Sequence, residues 1–349
     1  MKTHHLIHYS SSKHMTGIED NSIALVVTSP PYPMIEMWDD LFASMNPEIQ
    51  ESLDDNDGDL AFELMHAELD CVWKEVARVL SPGGMVCVNI GDATRSIGKI
   101  FKLYPSHSRI ISTFITLGFQ CLPSILWQKP TNSPTKFMGS GMLPPGAYVT
   151  LEREHILLFR KGDRRKFNDK QIKQIRRKSA YFWEERNTWF SDLWNLKGSR
   201  QTLDIIGKND IRDRTAAFPF ELPFRLINMF SIQGDTVLDP FLGTGTTMLA
   251  AITSARNCIG FEINQGFTEI IEENILNLTG EANNIIDQRL TNHRGFIENR
   301  EAEKGPPKYW NDHHGFGVVT SQERFIEIPH ITGITKIASE GRFEVSYST

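Results

Sequence analysis

Short continuous apolar runs alternate with helix-spaced apolar stripes over most of the chain. The runs are Leu6 to Tyr9, Ile23-Ala24-Leu25-Val26-Val27, Met85 to Ile90, Phe119 to Trp127, His155 to Phe159, Asp235 to Leu238 and Asn257 to Glu262. Runs of this kind fit strands buried on both faces, as in a parallel sheet. Between them, Leu64, Ala67, Leu69, Val72, Val76 and Leu80 recur at helical spacing, and Ser81-Pro82-Gly83-Gly84 breaks that helix. Ser108 to Leu117, Leu222 to Phe230, a stretch reaching about Ala255 and another ending at Ile275 read as further helices. The alternation predicts an α/β domain with a doubly wound, mainly parallel sheet. Residues 36–60, acidic and without period, are expected to be an irregular, mobile excursion. Thr131 to Gly146 reads as a loop, and the polar tail beyond about residue 280 shows no pattern.

A hydrophobic fraction of 40% in 349 residues supplies ample core. No apolar run approaches the roughly 20 residues of a membrane span, and the N-terminus lacks the apolar core of a signal peptide. A cytoplasmic protein is expected. Cys71, Cys87, Cys121 and Cys258 are scattered without metal-ligand spacing, so reduced buried thiols and no metal site are expected. The net charge of −6 conceals a strong asymmetry. No Lys or Arg occurs between Lys13 and Lys74, whereas Arg160 to Arg214 holds sixteen Lys/Arg against eight Asp/Glu. Such a basic segment suits phosphate neutralisation, with Arg164, Arg165, Lys166, Arg176, Arg177 and Lys178 as candidate contacts to nucleic acid.

Two loops carry the candidate chemistry. Asp239-Pro240-Phe241-Leu242-Gly243-Thr244-Gly245-Thr246-Thr247 joins a strand to a helix. Its glycines allow a tight turn and close ligand approach, and the helix N-terminus favours an anionic or carboxylate-bearing partner. Glu262, nineteen residues after Gly243 and at the end of the next strand, is spaced to bind the hydroxyls of a ribose. The second loop, Thr28-Ser29-Pro30-Pro31-Tyr32, stands where ligands bind in open α/β sheets. The Ser29 hydroxyl can accept one N–H and the Pro30 carbonyl a second, on a backbone stiffened by Pro30 and Pro31. Tyr32 offers a flat face for stacking an extruded base. Taken alone, either loop is also what an ordinary structural turn looks like.

Together they resemble the amino-methylating DNA methyltransferases of the β class, a restriction-modification family. Ser29-Pro30-Pro31-Tyr32 matches the family's [DNS]-P-P-[YFW] motif, and Asp239 to Gly245 its cofactor motif. Ala217-Phe218-Pro219-Phe220-Glu221-Leu222, Arg78 to Gly84 and Trp127-Gln128-Lys129-Pro130 agree further, over roughly residues 5 to 275. The catalytic loop precedes the cofactor loop, the permuted order of that class. The resemblance implies a Rossmann-like fold, S-adenosylmethionine as methyl donor, and duplex DNA whose target base is flipped out. It implies Ser29, Pro30, Pro31 and Tyr32 as catalytic, and Asp239, Pro240, Phe241, Gly243, Gly245, Thr246, Glu262 and Phe218 as cofactor-binding. Asp239 would hold the methionine amino group. Two segments depart from the family: Tyr9-Ser10-Ser11 replaces a Gly-Asp that contacts adenine, and Arg214-Thr215-Ala216-Ala217 replaces His-Pro-Ala.

Serine at the head of the tetrad points to cytosine N4 in this family, with adenine N6 the alternative. No cysteine follows a proline, which disfavours ring-carbon methylation through a Pro-Cys nucleophile. The expected organisation is a catalytic half (1–130), a target-recognition region (131–215) in which strand 155–159 is a candidate core strand, a cofactor half (216–280) and an extension (281–349). A monomer or homodimer is expected, with a restriction endonuclease encoded separately. An RNA or small-molecule methyltransferase would not need the basic segment.

Overall fold

The computed structural model describes residues 1–129, 138–196, 218–337 and 341–348. One large sheet contains β1 (Lys2–His8), β2 (Ile23–Thr28), β3 (Leu80–Ile90), β4 (Phe119–Gln128) and β5 (Arg153–Lys161). It continues with β6 (Leu193–Trp194), β7 (Thr236–Asp239), β8 (Asn257–Phe261), β9 (Ile331–Lys336) and β10 (Arg342–Tyr347). The spatial order is β6-β4-β5-β3-β2-β7-β8-β1-β10-β9. Strands β5 and β10 run antiparallel to both neighbours, and the remaining pairings are parallel. The mainly parallel doubly wound expectation therefore holds.

Alternate side chains of each strand feed two cores, because successive residues face opposite ways. Leu25, Val27, Met85, Cys87, Ile156 and Leu158 join the core beneath α7 (Glu221–Phe230) and α8 (Thr246–Thr253). Val26, Val86, Val88, Leu157 and Phe159 join the core beneath α3 (Gly58–Val79) and α4 (Ser106–Thr116). Helix α3 starts where Asp57 Oδ1 accepts the Leu60 N–H at 3.0 Å, satisfying an otherwise unpaired donor. It buries Met65, Leu69, Val72, Trp73 and Val76 along one face, with Trp73 against Phe114 and Phe241.

Several stretches differ from the sequence reading. Residues 36–54 form a 3-10 turn followed by α1 (Asp39–Met45) and α2 (Glu48–Asp54). Each helix is seven residues long and buries only one or two side chains, among them Phe42 and Ile49, so no period was visible. The tail forms α9 (Thr268–Leu276) and the 27-residue α10 (Leu278–Lys304), then the β9–β10 hairpin. Helix α10 buries Leu278, Ala282, Ile286, Leu290, His293 and Ile297, about one residue per turn, a stripe too narrow to stand out from its polar surroundings. Buried His293 is held by Glu184 at 2.7 Å and the Gly317 carbonyl at 3.1 Å. Cys71 and Cys121 are exposed, against the expectation of buried thiols. Among the described residues no helix is long and apolar enough to cross a membrane.

Asp57→Ala is expected to lower the unfolding free energy by about 1 kcal/mol through loss of the α3 cap, read from the urea midpoint.

Candidate active site

Strands β2 and β7 are far apart in sequence yet lie side by side, with Leu25 opposite Val237 and Val26 opposite Leu238. Both loops therefore open at the same edge of the sheet. The Thr28 hydroxyl donates to Asp239 Oδ1 at 2.6 Å, and the Phe241 N–H donates to the same oxygen at 3.0 Å. Burial pushes the Asp239 carboxyl up to about 6, although the bonds from Thr28 and Phe241 favour its ionised form.

A cavity of about 950 Å³ opens there. Ser29, Pro30 and Pro31 form one wall, Asp239 to Thr244 with Thr246 another, and Phe218 and Glu262 complete it. Gly243 and Gly245 adopt left-handed φ of 56° and 91°, which turn the chain sharply into α8. Gly245 caps that helix rather than facing the cavity. The Glu262 carboxylate accepts the Gly243 N–H at 2.8 Å and the Asn264 N–H at 2.7 Å, and burial raises its pKa. Each carboxylate oxygen keeps a further lone pair for a ligand hydroxyl. Two carboxylates for an ammonium and a diol, flanked by aromatic rings, fit S-adenosylmethionine. Ser10, Ser11 and Ser12 line the cavity where the Gly-Asp of related sequences was missing.

The outer wall comes from Met37, Trp38 and Leu41, within the segment expected to be irregular. Asp39 fixes it through a two-point ion pair with Arg95, at 2.8 and 2.6 Å. Arg95 belongs to a hairpin, Ala93–Ile97 with Ile100–Tyr104, whose Phe101 stacks on Tyr148 at 4.7 Å.

Behind Ser29 stands a polar network that sequence reasoning missed. The Ser29 hydroxyl donates to the Tyr32 oxygen at 3.1 Å, and the Tyr32 hydroxyl donates to Glu154 Oε2 at 2.8 Å. Asn89 Nδ2 donates to both, at 2.8 and 2.7 Å. Lys129 Nζ lies 2.7 Å from Glu154 Oε1. Burial, followed by the Glu154 charge, raises the Tyr32 pKa well above its ordinary value. Tyr32 is 7% exposed, and its ring packs against Gly91, where a Cβ would come within 2.9 Å. The stacking face expected of Tyr32 is thus covered in this structure. The available signal for Glu154 was a carboxylate at the start of an apolar strand.

The basic clusters do not join this site. Strand β5 runs opposite to β3, so Glu154 at its start lies at the catalytic edge and Lys161 at its end lies at the far edge. Lys161 Nζ reaches the Ala77 and Leu80 carbonyls, where β3 begins. Arg165 is paired with Asp235 at 2.6 Å, just before β7, and Lys178 with Glu327 at 2.7 Å. Arg176 stacks on Phe167 and Arg177 on Phe325. Arg164 and Lys166 flank Arg165 at that same edge. The expectation that these six residues contact DNA at the base-flipping site is corrected by the direction of β5. The remaining basic residues of that segment, from residue 197 to 214, lie outside the described residues, as do Pro130 and Ala217.

Beside Tyr32, Asp92 binds His107 Nδ1 at 2.7 Å, and the His107 and His155 rings stack at 4.1 Å and 8°. Their in-plane lone pairs therefore run side by side instead of converging as metal ligation would require.

Cavity and network together define an S-adenosylmethionine-dependent methyltransferase. The chain belongs to the N6/N4 DNA methylase family, whose model matches residues 23–273. It is 51% identical to the type II methyltransferase M.MthZI of Methanothermobacter thermautotrophicus, over 99% of this chain and 96% of that protein. It is 54% identical to M.MjaI of Methanocaldococcus jannaschii, over 78% of this chain and 91% of that protein. A Thermus thermophilus protein assigned as a DNA modification methylase, solved with S-adenosyl-L-methionine, superposes with a TM-score of 0.58. It is 31% identical, over 77% of this chain and 93% of that one.

Loss of the Asp239 charge is expected to weaken S-adenosylmethionine binding as pH falls through about 6, by about tenfold between pH 7 and pH 5. Calorimetry should show this, and Asp239→Asn should bind weakly with a flat profile. The sign for folding is the reverse: a raised carboxyl pKa stabilises the ligand-free protein at low pH, and that stability is lost as pH rises through about 6. Replacing Arg164, Lys166, Arg176 and Arg177 together by Gln should change the salt slope of duplex binding by less than about 1, the effect of one lost phosphate contact. Fluorescence anisotropy over a NaCl series measures it.

Proposed function

We propose that this DNA methyltransferase transfers methyl to the exocyclic N4 of cytosine in duplex DNA. The observation that carries this reading is Ser29, whose hydroxyl lines the cofactor cavity while its proton points away toward Tyr32. A hydroxyl so oriented presents lone pairs to an N–H. With the Pro30 carbonyl it forms a pair of acceptors that aims an amino lone pair across the cavity. S-adenosylmethionine supplies an electrophilic methyl group when bound. Asp239 holds its ammonium, Glu262 its ribose, and Phe218 and Phe241 flank it. The gain in rate comes from positioning and fixed dipoles, with no covalent intermediate.

Target recognition is assigned to residues 131–215, with residues 138–152 nearest the duplex. They lead directly into Glu154 at the catalytic edge, and Met138–Gly139 pairs there with Ala147–Tyr148. A separately encoded endonuclease completes the modification system in this reading.

Ser29→Ala is expected to lower single-turnover transfer by about 100-fold or more while S-adenosylmethionine binding stays within twofold. Long-read sequencing with nucleoside mass spectrometry of DNA from expressing cells should report 4-methylcytosine. Finding 6-methyladenine instead would transfer the assignment to adenine.

A further inference from the structure

The hydrogen bonds behind Ser29 have a forced direction. A carboxylate only accepts, so Tyr32 must donate to Glu154. Asn89 presents its amide NH2 to both Tyr32 and Glu154, the one orientation that avoids facing its carbonyl to a carboxylate. The phenol proton is therefore committed to Glu154, and the proton between Ser29 and Tyr32 must come from Ser29. The Ser29 oxygen is left with lone pairs toward the cavity. Positioning alone would be met by a single acceptor there. This chain runs on through a buried phenol to a carboxylate whose other oxygen meets Lys129, 47% exposed.

We propose that Ser29, Tyr32 and Glu154 form a proton relay that carries the proton released by amino methylation from the target nitrogen to the Glu154 carboxylate. The inference rests on the reading that Ser29 contacts the target amino group. In the transfer step the nitrogen–methyl bond forms, the sulfur–methyl bond breaks, and its electron pair returns to sulfur. The methylated nitrogen carries the positive charge until it loses a proton to Ser29 Oγ. Ser29 passes its own proton to the Tyr32 oxygen, and Tyr32 passes its own to Glu154 Oε2. Ser29 and Tyr32 end as they began, and Glu154 ends neutral. Lys129 stays charged throughout and connects the end of the chain with solvent, where Glu154 loses the proton before the next turnover. Asn89 is a positioning residue that keeps the phenol and the carboxylate in register.

Glu154→Gln and Tyr32→Phe test the relay, each preserving shape and burial. Single-turnover transfer by either variant is expected to fall by about 100-fold at pH 7, with S-adenosylmethionine affinity unchanged. The rate of Glu154→Gln should climb with pH as hydroxide replaces the lost acceptor, and added imidazole should restore part of it. A second readout needs no turnover. In cofactor-free protein carrying ζ-13C tyrosine, the Tyr32 resonance, identified by its absence in Tyr32→Phe, should titrate at lower pH in Glu154→Gln than in the parent. Wild-type rates and pH dependence in Glu154→Gln would overturn the relay. So would a uniform loss at every pH, without rescue and with the Tyr32 titration unmoved, since that marks a structural role. If the parent protein leaves no methylated amino group on any nucleoside, the reading of the site itself falls, and the relay with it.

Discussion

Everything at this site depends on the parallel pairing of β2 with β7. That pairing joins two loops lying 211 residues apart along the chain and closes with the Thr28–Asp239 hydrogen bond of 2.6 Å. The bond is buried and charge-assisted once Asp239 ionises, the kind that is costly to leave unmade. It also sets the distance between the head of the serine loop and the carboxylate that receives the cofactor. Shifting β2 by one residue would exchange the faces of Leu25 and Val26 between the two cores and turn Ser29 away from the cavity. The hydrophobic alternation of a six-residue strand thus fixes the geometry of a reaction centre.

Much of this was legible because the informative signals were local. The run Ile23 to Val27 followed by three prolines in four positions announces a buried strand ending in a rigid loop. The Gly243–Gly245 turn and Glu262 announce the cofactor side in the same way. Local patterns could not show what non-local pairing decides. The antiparallel course of β5 brings Glu154 to Tyr32 and carries Arg165 to the opposite edge, beside Asp235. A strand reads the same in either direction from its residues alone, so the basic segment was assigned to the wrong edge. Short helices that bury one or two side chains, and the one-per-turn stripe of α10, fall below what periodicity can reveal.

The charge distribution looks different in three dimensions as well. The overall −6 and the local basic excess suggested a DNA-binding module separate from an acidic remainder. In the fold, much of the basic excess that can be traced is spent on internal contacts, with Arg165, Arg176, Arg177 and Lys178 each engaged by a carboxylate or an aromatic ring. Part of the acidic excess is likewise structural, since Asp39 and Glu68 pair with Arg95 and Lys13 around the cavity.

The Asp39–Arg95 pair has a thermodynamic meaning of its own. It ties the outer wall of the cofactor cavity to a hairpin that reaches Tyr148, in the segment running into the catalytic edge. A wall and a hairpin joined at two points are one mechanical part with two faces, one turned to the methyl donor and the other to the macromolecule. Reciprocity then applies: any free energy with which the duplex shifts the hairpin must return as an equal change in how firmly the donor is held.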